Sequence, residues 1–247
     1  AVGYLALSAE DDYGRNVAVG KGALQLLNAG SDGYNTAVGN LAGTAMTTGV
    51  DNTIMGGGAG DALTTGSNNV AIGKNALSTE DAGGRNVAIG HKALFAQDAG
   101  ADAYNIAIGY HAGQAVTTGT FNTMVGGLAG DALTDGQSNT VVGFQALSAE
   151  TGGDENTAIG IQALRVSDGG SNNTAVGRQA GVAVSTGDNN TLIGHNAGVN
   201  ITSGTNNTLI GQASGGVLTT GSNNVVVGRD TDLAANSNNS SIIIGEG

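Results

Sequence analysis

The apolar residues of this chain come in short words of fixed layout, an asparagine, one further residue, two apolar residues and a glycine, as in Asn69-Val70-Ala71-Ile72-Gly73. The closing glycines are Gly3, Gly20, Gly39, Gly56, Gly73, Gly90, Gly109, Gly126, Gly143, Gly160, Gly177, Gly194, Gly211, Gly228 and Gly245. Every spacing between them is 17 residues except two of 19, after Gly20 and after Gly90. A fixed period in this range is the mark of a solenoid, in which each unit finds its partners in its neighbours.

The residue before each glycine is never polar: Val19, Val38, Met55, Ile72, Ile89, Ile108, Val125, Val142, Ile159, Val176, Ile193, Ile210, Val227 and Ile244. This column is the predicted core. β-Branched residues two apart and followed by glycine read as a short strand ending in a turn where φ is positive. Three residues after the glycine stands alanine, at Ala23, Ala42, Ala59, Ala76, Ala93, Ala112, Ala129, Ala146, Ala163, Ala180 and Ala197. A column so uniformly small implies close approach of another coil, where an added methylene would overpack. A second segment ending Ala-Leu or Ala-Gly leads into Thr-Thr-Gly-x-x-Asn, a turn vocabulary.

The pattern therefore predicts an all-β fold, a parallel β-solenoid or β-roll. Each coil is expected to hold two short strands and two turns. Residues 1–247 form a single repeat domain of about 14 coils with a 17-residue repeat. With strands about 4.8 Å apart, such a stack is a rod of roughly 65–70 Å. No 3.6-residue stripe survives glycine at this density, which excludes helices.

The position two before the glycine is apolar as well: Ala18, Ala37, Ile54, Ala71, Ala88, Ala107, Met124, Val141, Ala158, Ala175, Leu192, Leu209, Val226 and Ile243. Successive strand residues point to opposite faces, so both faces of this strand are apolar. The simplest cover for the second face is another copy of the same chain, which makes the repeat a self-associating stripe. The asparagine opening each word recurs at Asn16, Asn35, Asn52, Asn69, Asn86, Asn105, Asn122, Asn139, Asn156, Asn173, Asn190, Asn207 and Asn224. Stacked coils would place these in a structural ladder, each amide bonding from coil to coil and capping a turn.

Composition narrows the function classes. There are 45 glycines and no proline, cysteine or tryptophan, so no disulfide, thiol nucleophile or thiolate metal site exists. Twenty acidic residues against 8 basic give a net charge of -12, a field that repels a phosphate backbone and argues against nucleic acid as partner. Apolar runs of three or four residues are far short of the roughly 20 that cross a bilayer, so membrane insertion of this segment is not expected.

Catalytic signatures are missing. No nucleophile elbow, phosphate loop or dinucleotide fingerprint accompanies the glycines, and no pair among the acids stands out as a glycosidase pair. The expectation is a non-enzyme with no catalytic, cofactor-binding or metal site and no cofactor. Acids gather at Glu10, Asp11 and Asp12, at Glu80 and Asp81, and at Glu150, Asp154 and Glu155. They read as solvated, repulsive turns, with calcium ligation through carboxylates the sharper alternative. His91, His111 and His195 follow anchor glycines by one or two residues, in columns that elsewhere hold Lys21, Lys74, Phe144, Arg178 or Gln212, and read as surface positions. They would form a metal site only where neighbouring coils or chains brought them together. Tyr4, Tyr110 and Phe144 are the best candidates for exposed rings.

The block of text repeats at a longer interval too: LSAEDDYG at Leu7 returns as LSTEDAGG at Leu77 and LSAETGGD at Leu147, which points to duplication of a four-coil block. The words themselves resemble the head repeat of trimeric autotransporter adhesins of the YadA type, and the related glycine- and asparagine-rich repeats of bacteriophage tail fibres. Gly66-Ser67-Asn68-Asn69-Val70-Ala71-Ile72-Gly73 and Gly221-Ser222-Asn223-Asn224-Val225-Val226-Val227-Gly228 carry the resemblance most closely, and it extends over essentially the whole chain. The resemblance implies a left-handed β-roll, a homotrimer, and adhesion or a fibre shaft as the role. The family's repeat is shorter than the 17 residues found here, which implies a larger coil or a longer turn. A strand word is cut at Ala1-Val2-Gly3 and another closes at Ile242-Ile243-Ile244-Gly245, the expectation for part of a longer fibre chain. The expected setting is extracellular, on a virion as a tail fibre or on a bacterial surface, with a host glycan or protein receptor as partner. The alternative is a non-catalytic ligand-binding solenoid that recognises glycan or ice through its threonine and asparagine arrays.

Overall fold

The computed structural model describes residues 1–10 and 14–245. These form two compact units, Ala1–Asn122 and Thr123–Gly247. The first holds β1 (Val17–Val19), β2 (Thr36–Val38), β3 (Thr53–Met55), β4 (Val70–Ile72), β5 (Val87–Ile89) and β6 (Ile106–Ile108). The second holds β7 (Thr123–Val125), β8 (Thr140–Val142), β9 (Thr157–Ile159), β10 (Thr174–Val176), β11 (Thr191–Ile193), β12 (Thr208–Ile210), β13 (Val225–Val227) and β14 (Ile242–Ile244). No helix occurs among the described residues.

Within each unit every strand pairs in parallel with the next in chain order, and the register keeps the sequence columns intact. Ala71 lies beside Ala88 and Ile72 beside Ile89; Leu192 lies beside Leu209 and Ile193 beside Ile210. The architecture is thus the parallel β-solenoid with a repeat of about 17 residues.

The anchor glycine ends each strand because nothing else fits. Gly56 has φ +134, and a Cβ there would stand 2.6 Å from the carbonyl oxygen of Gly73 one coil away. Backbone therefore lies on backbone at this corner, and any side chain would push the coils apart.

The second segment is not a strand. After the glycine the backbone alternates into the left-handed region, with Lys92 at φ 55 and Leu94 at φ 48. Extended residues have negative φ, so the chain curls through consecutive turns and each coil keeps one strand instead of the two expected. Coil-to-coil bonding continues nonetheless: Lys92 N–H donates to the Lys74 carbonyl at 3.0 Å and Leu94 N–H to the Ala112 carbonyl at 3.1 Å.

The core is filled by the middle residue of each strand, the alanine column and one larger side chain per coil. Two recipes supply that larger group. Where the fourth residue after the anchor is glycine, the seventh is large and apolar, as with Gly43 and Met46, Gly60 and Leu63, Gly113 and Val116, or Gly198 and Ile201, and each of these seventh residues is buried. Where the fourth is leucine, as at Leu77, Leu94, Leu147 and Leu164, the seventh is polar, Glu80, Gln97, Glu150 and Ser167, all buried; the coil after Gly20 departs from this, with both Leu24 and Leu27 buried. In the coil of Gly60 the two positions compete for one space, since a Cβ on Gly60 would come within 2.9 Å of Leu63 Cδ1. Each fully buried leucine contributes about 1.5–3 kcal/mol.

The 19-residue coils are braced on the surface. Arg85 donates to the Tyr104 hydroxyl at 2.7 Å and pairs with Asp102, and Arg15 pairs with Asp32 at 3.2 Å. Such exposed pairs add little stability on their own.

Candidate functional site

In each unit the strands turn one face away from the core. In every strand from β1 to β13 the middle residue is buried while its two neighbours are partly or largely exposed. This corrects the assignment of the core column. Val19, Ile108, Ile159, Ile193 and Ile210 are 37–38% exposed, and Val38, Ile72, Ile89, Val125, Val142, Val176 and Val227 are half-buried on the same outer face. The column two before the glycine lies inside instead, with Ala18, Ile54, Ala88, Met124, Leu192 and Leu209 fully buried. Strand parity decides this: the glycine corner turns the middle residue inward, toward the alanine column, and the flanking pair outward.

The outer face is built from the first and third residues of each strand. In the first unit it runs Val70 and Ile72, Val87 and Ile89, Ile106 and Ile108; in the second, threonine takes the first position from Thr123 to Thr208 and valine or isoleucine the third. The third position is apolar in every strand, so each unit carries a row of partly exposed apolar side chains along its outer sheet face.

The asparagines lie at the edge of that face, one residue ahead of each strand from β1 to β13. The backbone N–H of each donates to the side-chain oxygen of the one before: Asn35 to Asn16 Oδ1 at 2.8 Å, Asn52 to Asn35 at 2.9 Å, Asn69 to Asn52 at 2.9 Å, Asn86 to Asn69 and Asn105 to Asn86 at 3.0 Å, and Asn122 to Asn105 at 2.8 Å. The second unit repeats it from Asn156 on Asn139 at 2.9 Å through Asn173, Asn190 and Asn207 to Asn224 on Asn207 at 3.1 Å. Their Nδ2 groups reach a glycine carbonyl fourteen residues on, as from Asn52 to Gly66 at 2.9 Å and from Asn190 to Gly204 at 2.8 Å. The ladder thus closes the turn and bonds successive coils, a structural role.

The two asparagines that open 19-residue coils depart from this. Asn16 Nδ2 donates to Glu10 Oε2 at 2.9 Å and to the Gly14 carbonyl at 3.3 Å, while Asn86 Nδ2 is buried with no hydrogen-bond partner. The two extra residues carry the usual acceptor away.

The acidic turns are not simply solvated. Glu80 is fully buried: Oε1 accepts from Gly83 N–H at 2.7 Å and Oε2 from Gln97 Nε2 at 3.1 Å. Glu150 is buried too, accepting from the N–H groups of Gly153 at 2.6 Å and Gly169 at 2.7 Å and from the Ser167 hydroxyl at 2.7 Å. These carboxylates bond the turn of one coil to that of the next. Carboxylate oxygens of Glu80, Asp81 and Asp98 lie within 4.8 Å of one another, yet those of Glu80 are already taken by N–H donors. Asp154 and Glu155 are exposed, and Asp11 and Asp12 lie outside the described residues.

Asp131 sits in the second unit with Oδ1 buried and unpartnered, and burial pushes its carboxyl above the ordinary value of 3.8. Tyr4, Tyr110 and Phe144 are exposed rings. His195 stands exposed, whereas neighbouring coils bring His91 and His111 together, with Nδ1 of the first 3.2 Å from Nε2 of the second.

The turn threonines are committed to the fold. Thr47 Oγ1 donates to the Thr64 carbonyl at 3.2 Å, Thr64 to Asp81 at 3.0 Å, and Thr202 to Thr219 at 3.2 Å. Sequence reasoning missed the polar core groups Glu80, Gln97, Glu150 and Ser167; the exchange of leucine and glycine three residues ahead of them was the available signal. No helix of the structure is long and apolar enough to cross a membrane among the described residues. No protein-family model, no curated protein and no solved structure matches the chain.

Proposed function

We propose that this chain is a structural segment of an extracellular fibre or adhesin shaft, on a virion or a bacterial surface, in which copies of the chain pack outer strand face against outer strand face. The number of copies follows the homotrimer that the resemblance implies. One observation carries the reading: the third residue of every strand is apolar and turned to the outer face, beside a threonine, valine or isoleucine at the first, with residues such as Ile193 and Ile210 well exposed although they sit in the middle of a parallel sheet. Parallel sheets are ordinarily covered on both faces. A cover that meets every coil must share the period of the coils, and a second copy of the chain does so without further design. The assembled shaft would carry or present a surface for a host glycan or protein receptor, with no catalytic step and no cofactor.

The test is the solution mass by light scattering across a dilution series, for the wild type and for a variant carrying Ile159→Lys, Ile193→Lys and Ile210→Lys. The reading expects a multiple-chain mass for the wild type, three chains for the homotrimer, and a folded monomer for the variant. A folded wild-type monomer at high concentration would overturn it.

A second reading has its own support. In the second unit Thr140, Thr157, Thr174, Thr191 and Thr208 stand in line on the outer face, each followed two residues on by valine or isoleucine, in a regular parallel register. A regular threonine array of this kind suits ordered water, which makes ice binding the alternative. Thermal hysteresis lost in Thr174→Tyr and Thr191→Tyr, with a monomeric wild type, would favour it.

A further inference from the structure

We propose that His91 and His111 form a two-imidazole site for a divalent transition-metal ion of the zinc, copper and nickel class. Both belong to the first unit, and neither the ladder nor the outer strand face uses them.

The sequence places them by an offset between columns. His91 follows its anchor Gly90 by one residue and His111 follows Gly109 by two, in coils that lie next to each other. At these positions the backbone turns sharply, with His111 itself at φ 57, and its N–H donates to the His91 carbonyl at 3.0 Å. That bond fixes one residue against the other, so the two rings meet by construction of the coil.

The geometry suits a metal. Imidazole nitrogens bind zinc at about 2.0–2.1 Å, so two adjacent ligands of a tetrahedral or square-planar ion stand roughly 3–3.4 Å apart. The observed Nδ1 to Nε2 separation is 3.2 Å. The same separation also serves one shared proton as an N–H···N bond.

Tyr110 stacks on His111 with ring centroids 3.9 Å apart and on His91 at 5.5 Å, walling one side. The Lys92 ammonium lies 5.1 Å over the Phe95 ring. Both histidines are half-exposed, which leaves the remaining coordination positions to water or to an oxygen or nitrogen donor from a second molecule.

The experiment uses the tag-free full chain at neutral pH with Cu²⁺, Ni²⁺ and Zn²⁺ alone as probes. Calorimetry follows binding to the wild type, His91→Ala, His111→Ala, the double variant and His195→Ala; copper electron paramagnetic resonance is recorded on the wild type. The expected result is one saturable site per chain, weakened at least tenfold by either single change, untouched by His195→Ala, and showing nitrogen coupling from two imidazoles. Circular dichroism of the variants confirms an intact fold, and the wild-type spectrum tests the site even where a variant does not fold. Binding that persists in the double variant, or a wild-type spectrum with a single nitrogen donor, would overturn the assignment and leave the pair as a proton-sharing contact.

Discussion

Ala88 and Ile89 are neighbours on β5 that face opposite ways: Ala88 is fully buried against the core, and Ile89 lies half-buried on the outer sheet face. The same division holds in each strand from β1 to β13, so a one-residue shift in a substitution separates folding from association. Ala88→Asp places an unpaired carboxylate in the core and is expected to cost about 3–5 kcal/mol. Ile89→Asp is expected to cost the single chain only about 1 kcal/mol, the span of strand propensity, while weakening self-association. Urea melts and light scattering on both variants check this; equal loss of stability would contradict the assignment of faces.

The asparagine ladder is uneven, and the unevenness is measurable. Asn69 accepts from Asn86 N–H at 3.0 Å and donates to the Gly83 carbonyl at 3.1 Å, whereas Asn86 keeps only the acceptor role, toward Asn105 N–H at 3.0 Å. An unsatisfied buried group costs about 1–3 kcal/mol. Asn69→Ala is therefore expected to destabilise about twice as much as Asn86→Ala in denaturant unfolding.

Glu150 should behave as a structural acceptor. Its removal as Glu150→Ala orphans the N–H groups of Gly153 and Gly169 and the Ser167 hydroxyl. The expected loss is about 3–5 kcal/mol, and amide hydrogen exchange should open first at residues 150–153 and 167–170. A variant as stable as the wild type would show that the turn closes without this carboxylate.

Asp131 gives a pH-dependent prediction with a definite sign. Burial raises its native pKa above the ordinary 3.8, so the native state penalises the charged form. That penalty is absent below pH 3.8 and grows as pH rises through the native value, so the stability contribution falls with rising pH. Asp131→Asn is expected to raise the melting temperature at pH 7 and to bring no gain at pH 3.

Much of the fold was legible because the period is carried by backbone demands. Glycine at positions such as Gly56 and asparagine at the turn are dictated by φ and by hydrogen bonding, and their spacing survives any change of apolar side chain. Parity was harder. Both the middle and the third strand residues are apolar, so hydrophobicity alone did not say which column faces inward, and the more uniform β-branched column was assigned to the core. It is the smaller alanine-rich column that lies there, because the coil is narrow and shares its interior with the alanines after the glycine. The second segment read as a strand because leucine at Leu94 or Leu164 gives no sign of a left-handed backbone. The buried Glu80 and Glu150 looked solvated because a charge in a glycine-rich turn ordinarily is.

The central claim, that the outer strand face meets the same face of other copies, is tested most directly by a nitroxide attached at Ile193→Cys, with pulsed dipolar spectroscopy on the assembled protein. Parallel copies packed through this face should give one short, narrow distance, and a label at Ile210→Cys should give the same. Mobile labels with no dipolar coupling, at concentrations where the chain is folded, would contradict the claim and return the face to solvent.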